Sequence, residues 1–284
     1  TGRMTNSITT KDNLILKQGL SKWNNGMQHT IPVSATFTLF KYFNVVPSFN
    51  YTERWYTRKV AQSYDPTATG SVRKDTINGF NRVYNYNLSL QVNSKLYGFF
   101  KPWKMFGDKV QMIRHVFTPS VSFSYAPDFG EARYGYYDTY TYTDEKGEVR
   151  TVEYSPYQGM AFGVPGKGMQ KSFNFAIDNN VEMKIKSDKD TTGVKKISLI
   201  DQLSANMSYN AAAQTRPWSD LSMNLRLKLT KSYTFNMNAS FATYAYQYDE
   251  RGNIIVGDRT EWSYGRFGRF QGYSGSFSYT LNND

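Results

Sequence analysis

From Leu221 to Thr230 apolar and polar residues alternate without a break. Leu221, Met223, Leu225, Leu227 and Leu229 take one parity; Ser222, Asn224, Arg226, Lys228 and Thr230 take the other. Successive side chains of a strand point to opposite faces, so this pattern predicts an extended segment with one greasy and one wet surface. The next segment repeats it, with Tyr233, Phe235, Met237, Ala239 and Phe241 against Thr234, Asn236, Asn238 and Ser240. Near the end Tyr273, Phe277, Tyr279 and Leu281 alternate with Ser274, Ser276, Ser278 and Thr280. Similar runs begin at Ile31, Val45, Tyr84, Phe117, Phe173 and Leu203, giving nine predicted strands. No apolar i, i+3, i+4, i+7 pattern lasts long enough for a long helix, so the predicted fold class is all-β.

Connection lengths form a second pattern. Lys41 to Asn44 and Lys231-Ser232 are short; Lys59 to Gly79, Ala126 to Gln170 and Tyr248 to Gln271 are long. Counted from the first strand, the shortest connections are odd and the long ones even. Such segregation predicts an antiparallel up-and-down transmembrane β-barrel, with short turns at one rim and long loops at the other. The longest connection is expected to carry an extracellular hairpin, Tyr136 to Thr143 returning as Val149 to Tyr154 around Asp144-Glu145-Lys146-Gly147-Glu148. No linker or composition shift divides the chain, so residues 1–284 read as a single barrel section.

Composition narrows the field. Aromatics reach 17%, which excludes a disordered chain. No uninterrupted apolar run exceeds three residues, which excludes membrane-spanning helices. Cysteine is absent, and with it disulfides, thiolate nucleophiles and Cys-ligated zinc. The alternative to a membrane barrel is a soluble β-sandwich whose apolar faces meet in a core. Three features favour the barrel. Wet faces are mostly Ser, Asn and Thr; aromatics crowd strand ends, as at Tyr42-Phe43, Trp55-Tyr56 and Phe99-Phe100; and closure satisfies every backbone group in lipid. Pro47 and Pro119 interrupt two strands and predict bulges or strand ends near a rim. Glu53 breaks an apolar register, predicting a bulge or emergence from the membrane.

Catalytic chemistry is sparse. The two histidines, His29 and His115, carry no recognisable triad, and His115 reads as interfacial. Asp188-Lys189-Asp190 lacks the pattern of a calcium loop and reads as a solvated turn. Gly163-Val164-Pro165-Gly166-Lys167-Gly168 superficially matches a phosphate loop, but no strand-to-helix transition follows, so it reads as a flexible loop. Neither an enzyme nor a cofactor is expected. The net charge of +11 carries more information. Arg54, Lys184, Arg226 and Lys228 fall on wet faces, with Arg58 and Arg82 near strand ends, and these six are the candidate lumen-facing contacts to a polyanion. The basic residues are dispersed and no recognition motif is present, so no nucleic-acid partner is expected.

Several stretches of the chain resemble a known family. Ile113 to Ser120, containing His115 and Pro119, runs into Phe123 to Phe129, containing Pro127, Asp128 and Phe129. Arg216-Pro217-Trp218-Ser219-Asp220 follows, then Arg259 to Phe270, ending in Gly265-Arg266-Phe267-Gly268-Arg269-Phe270. Together these resemble the barrel of the lipopolysaccharide-assembly outer-membrane protein family LptD (OstA-like), in a divergent branch. The resemblance implies lipopolysaccharide transport and insertion into the outer leaflet of a Gram-negative outer membrane. It also implies an LptE-like lipoprotein plug, a periplasmic LptA-like bridge and an upstream jellyroll. Nine strands are few for that family, so an internal fragment of a larger barrel is expected, with further strands outside it. A generic porin or plugged nutrient receptor is the competing reading, and a soluble carbohydrate-binding sandwich a third.

Overall fold

The computed structural model describes residues 1–7, 23–68, 71–101, 109–187, 193–228, 230 and 232–279. The Asp188-Lys189-Asp190 turn, Leu229 and the end from Thr280 lie outside them. Among the described residues the chain is strand, turn and two short 3-10 turns at Ala132–Tyr134 and Glu261–Tyr264.

All nine predicted strands are present: β2 (Asn24–Ser34) with its continuation β3 (Phe37–Leu39), β4 (Phe43–Tyr64), β5 (Val72–Ser94), β7 (Val110–Ala126), β10 (Gln170–Lys186), β11 (Val194–Asn210), β12 (Leu221–Lys228), β13 (Tyr233–Ala242) and β16 (Arg269–Tyr279). Two elements carried no alternation signal, β1 (Gly2–Ser7) on β2 and the short β6 (Leu96–Phe100) on β7. The hydrogen-bonded order is β1-β2-β4-β5-β7-β10-β11-β12-β13-β16, up and down in chain order, with no pairing of β1 to β16 among the described residues. The expected loop hairpin forms as β8 (Asp138–Thr143) and β9 (Val149–Tyr154), and an unexpected one as β14 (Tyr244–Tyr248) and β15 (Ile254–Thr260).

Some local expectations need correction. Lys59 to Gly79 is not a long loop, because β4 continues to Tyr64 and β5 starts at Val72. Glu53 causes no bulge; it stays in register opposite His29. Pro47 does not end its strand either. The pairs Ser34–Ser48 and Phe37–Val45 keep one register, and between them the Ala35 N–H donates to the Pro47 carbonyl at 3.2 Å. Proline has no N–H to return, so the ladder is interrupted on the partner strand instead.

Two compact units can be described separately. The first comprises residues 1–34, 48–88 and 125–170. Its dry core consists of Tyr56, Val83, Phe129, Tyr136, Tyr157 and Met160. Tyr56 shares strand parity with Arg54, and Val83 with Asn85, so the connection 127–169 lies across the polar-parity face of β4 and β5. The second unit comprises residues 35–47, 89–124 and 171–284. In it β10, β11, β12, β13 and β16 pair so that like meets like. Leu203 faces Leu225, Leu225 faces Met237, and Phe235 faces Phe277 on one surface, while Ser204 faces Asn224, Asn224 faces Asn238 and Asn236 faces Ser276 on the other. Among the described residues no second layer packs on the apolar surface of this unit: Phe277 is 66% exposed and Tyr273 74%.

Candidate functional site

In the second unit the polar surface forms an open trough of about 680 Å³ lined by Asp178, Gln202, Ser204, Asn224, Asn238 and Ser274, among others. Its amides are already partly engaged. The Gln202 side-chain amide donates to Asp178 at 2.7 Å, and Asn224 donates to Asn238 at 2.6 Å. Such a wall offers many weak donors and acceptors and few fixed charges.

Arg226 and Lys228 share this surface, and both are held by one carboxylate. Asp201 accepts from the Arg226 Nε at 2.5 Å and lies 3.1 Å from the Lys228 Nζ. Strict alternation would put Asp201 on the apolar side, with Leu203. The register between β10 and β11 shifts twice, at Asn179/Val181 and at Val181/Glu182, so β11 carries extra residues there. A bulge re-aims a side chain, and here it delivers Asp201 to the polar face. Sequence reasoning missed this residue, because the two one-residue shifts together restore parity and leave the alternation on either side unchanged.

Lys184 stands opposite Lys196 and lines a smaller cavity of about 180 Å³ with Arg114 and Glu182. Arg114 is paired with Glu182 at 2.6 Å. His115 is given to Asn179, its Nε2 lying 2.9 Å from the amide oxygen, within β7 beside Pro119.

At the strand ends of the second unit, the Trp218 ring packs on Tyr209 at 4.8 Å and Trp262 at 5.6 Å. Its backbone N–H donates to the Tyr244 hydroxyl at 2.8 Å, and the neighbouring Pro217 carbonyl accepts from Asn210 at 2.7 Å. The Gly265–Phe270 segment closes around Glu261, which is 4% exposed. Arg266 pairs with that carboxylate at 2.7 Å, and Arg269 lies 4.0 Å from it and 3.7 Å over the Tyr246 ring. Gly265 adopts φ 69°, and Phe267 and Phe270 pack on Phe241 at 5.3 and 5.6 Å. Both arginines of this segment thus face one carboxylate of the same connection.

In the first unit a polar cavity of about 400 Å³ lies between the sheet and the 127–169 connection. Asn50, Thr52 and Arg54 of β4 and Asn85 and Asn87 of β5 form its floor; Pro127, Phe129 and Val164 to Gly168 close it. Arg54 donates from Nη1 to the Asn85 side chain at 2.7 Å, while its buried Nε has no hydrogen-bond partner. Gly163 to Gly168 is not the flexible loop expected. The Asp128 carboxylate accepts the N–H of Gly130 at 2.7 Å and of Gly168 at 2.8 Å, tying the two ends of the connection together. Those two backbone donors, Gly168 foremost, hold its carboxyl below the usual carboxylate range. The Tyr56 hydroxyl donates to the Gly163 carbonyl and that of Tyr137 to Pro165, each at 2.7 Å. Lys167 pairs with Glu153 and lies 4.2 Å over the Tyr137 ring.

The other two candidates differ in setting. Arg58 follows Arg54 on the same parity, inside β4 rather than at its end. Arg82 does not join the polar face: it binds Glu53 at 2.7 Å and the Tyr51 hydroxyl at 2.8 Å, with Trp55 also donating to Glu53 at 2.5 Å. Tyr51, Glu53 and Trp55 carry the apolar parity of β4, so this ion pair sits on the greasy side.

An all-β, up-and-down antiparallel sheet with one apolar and one hydroxyl- and amide-bearing face defines a wall whose available chemistry is hydrogen bonding and charge. The sequence profile of the family described as LptD protein matches residues 1–244, and the chain belongs to that family. This is a transport and assembly family of the Gram-negative outer membrane, tied to lipopolysaccharide handling rather than to catalysis. No curated protein and no solved structure matches the chain.

Proposed function

We propose that this chain forms part of the wall of an outer-membrane β-barrel that delivers lipopolysaccharide to the outer leaflet, its apolar face against hydrocarbon and its polar face lining water. The observation that carries the reading is the unpartnered apolar surface of β10 to β16 backed by a continuous Ser- and Asn-rich surface, in a chain of the LptD protein family. Strand length agrees. About 9–11 tilted residues cross a bilayer, but β4 has 22 and β5 has 23. Both strands then project well beyond the hydrocarbon, and the Glu53–Arg82 pair with Trp55 falls near the boundary, where amphipathic rings are favoured.

In this mechanism the sugar portion of the cargo moves along the amide and hydroxyl face, exchanging weak hydrogen bonds. Cations neutralised by Asp201 stay attractive to phosphates without holding them. An LptE-like plug and an LptA-like bridge are the partners this reading calls for. A generic porin shares the wall but not the family.

Residues 1–284 contain no cysteine, so single cysteines introduced here, in a full-length background cleared of any other cysteine, test the orientation directly. In the full-length protein in membranes, spin labels at Leu225 and Leu227 are expected to be relaxed by dissolved oxygen. Labels at Asn224 and Asn238 are expected to be relaxed by a water-soluble nickel chelate. Equal accessibility on both parities would overturn the proposal.

A further inference from the structure

The first-unit cavity has a composition unlike the trough. Arg54 and Lys167 are among its lining residues, and no carboxylate is. Lys167 is neutralised by Glu153. Arg54 forms no ion pair among the described residues; its one hydrogen bond goes to a neutral amide, and its buried Nε is left over. A guanidinium carries five N–H donors in a planar fork that matches an oxyanion. Holding one partly desolvated beside unused donors costs free energy that a bound anion would return. Around it Asn50, Thr52, Asn87 and Gln170 present neutral donors and acceptors, and Tyr86, Phe129 and Pro165 present flat apolar surface. Amides beside a ring face are what a pyranose needs, since it has hydroxyls on its rim and C–H groups on its faces.

We propose that this cavity is a subsite for a negatively charged sugar, with Arg54 contacting the sugar's carboxylate or phosphate oxyanion. The inference rests on the transport reading and deepens it. The first unit then carries a sticky station under the roof formed by residues 127–169, while the trough of the second unit is non-retentive. The roof is built for such a role: Asp128 binds its two ends together, and hydroxyls of Tyr56 and Tyr137 hold its closing residues by their carbonyls.

The test uses the full-length protein in living cells with a photo-crosslinking residue at Asn87 or, separately, at Asn224 in the trough. Lipopolysaccharide adducts at both positions are expected. Adducts at Asn224 but not Asn87 would overturn the subsite and leave the transport reading standing; adducts at neither would overturn both. With the probe at Asn87, Arg54→Gln should cut adduct yield several-fold and Arg54→Lys should restore part of it, with heat-modifiable barrel mobility unchanged as the assembly control. An Arg54→Gln yield equal to the parent's removes Arg54 from the contact. In isolated membranes, glucose 6-phosphate and glucuronate at equal concentration serve as competitors, and whichever suppresses the Asn87 adduct identifies the oxyanion. Equal suppression by neutral glucose would refute the charge requirement.

Discussion

One phenol shows how much of the first unit depends on single groups. The Tyr136 hydroxyl accepts from the Tyr84 N–H at 2.7 Å and donates to the Tyr84 carbonyl at 2.9 Å. Those two backbone groups would otherwise meet a neighbouring strand, so a side chain completes the ladder. Tyr136→Phe keeps the ring and removes both bonds. The expected loss is about 2 kcal/mol of local stability, read as about thirtyfold faster exchange of the Tyr84 amide. Asp128 gives a second prediction at this scale. Its folded-state carboxyl is depressed by the Gly168 and Gly130 N–H groups, so its contribution is complete above the unfolded carboxylate value and is lost as pH falls through the folded one. Cleavage within 127–169 by an acid-active protease should therefore rise across that interval, and Asp128→Asn should show high cleavage already at neutral pH. Neither residue's role was visible beforehand, because a tyrosine or aspartate in a long connection looks like any solvated loop residue until its backbone partners are known.

At the scale of the element, the bulge in β11 decides what the polar wall carries. Without it Arg226 and Lys228 would be two uncompensated cations; with it, Asp201 serves both. Reversing both charges, Arg226→Glu with Lys228→Glu, would set three carboxylates together. The expected result in the full-length protein is a several-fold drop in lipopolysaccharide delivery with normal barrel assembly. Unchanged delivery would remove both residues from the path. The strands themselves were legible from parity, since each has one face forbidden to water and the other open to it. Parity failed where that contrast disappears. Lys59 to Tyr64 continues β4 with Lys59, Ala61 and Ser63 on what had been the apolar side, and β14 and β15 pair within a loop that has no single buried face.

Across the molecule, the alternation foresaw a sheet wet on one side. It did not foresee that the longest connection would lie on that side and dry part of it. Tyr56 and Val83 sit at wet-parity positions yet are 1% and 0% exposed, because Phe129, Tyr136, Tyr157 and Met160 cover them. No sequence period encodes such cover. The Arg54 cavity was out of reach for the same reason: the arginine could be assigned a face, but its roof comes from residues more than seventy positions later. The family-like words prove to be joints. Asp128 ties loop ends, Trp218 braces strand ends, and Arg266 and Arg269 fasten onto Glu261.

The turn between β8 and β9 closes on itself, with Asp144 accepting the N–H of Lys146 and of Glu148 at 2.9 Å each and pairing with Arg150. None of those residues lines the Arg54 cavity, so the turn can be lengthened without disturbing it. A short epitope spliced between Lys146 and Gly147 is expected to be tolerated. Antibody staining of intact, unpermeabilised bacteria would then report which side of the envelope the long connections occupy.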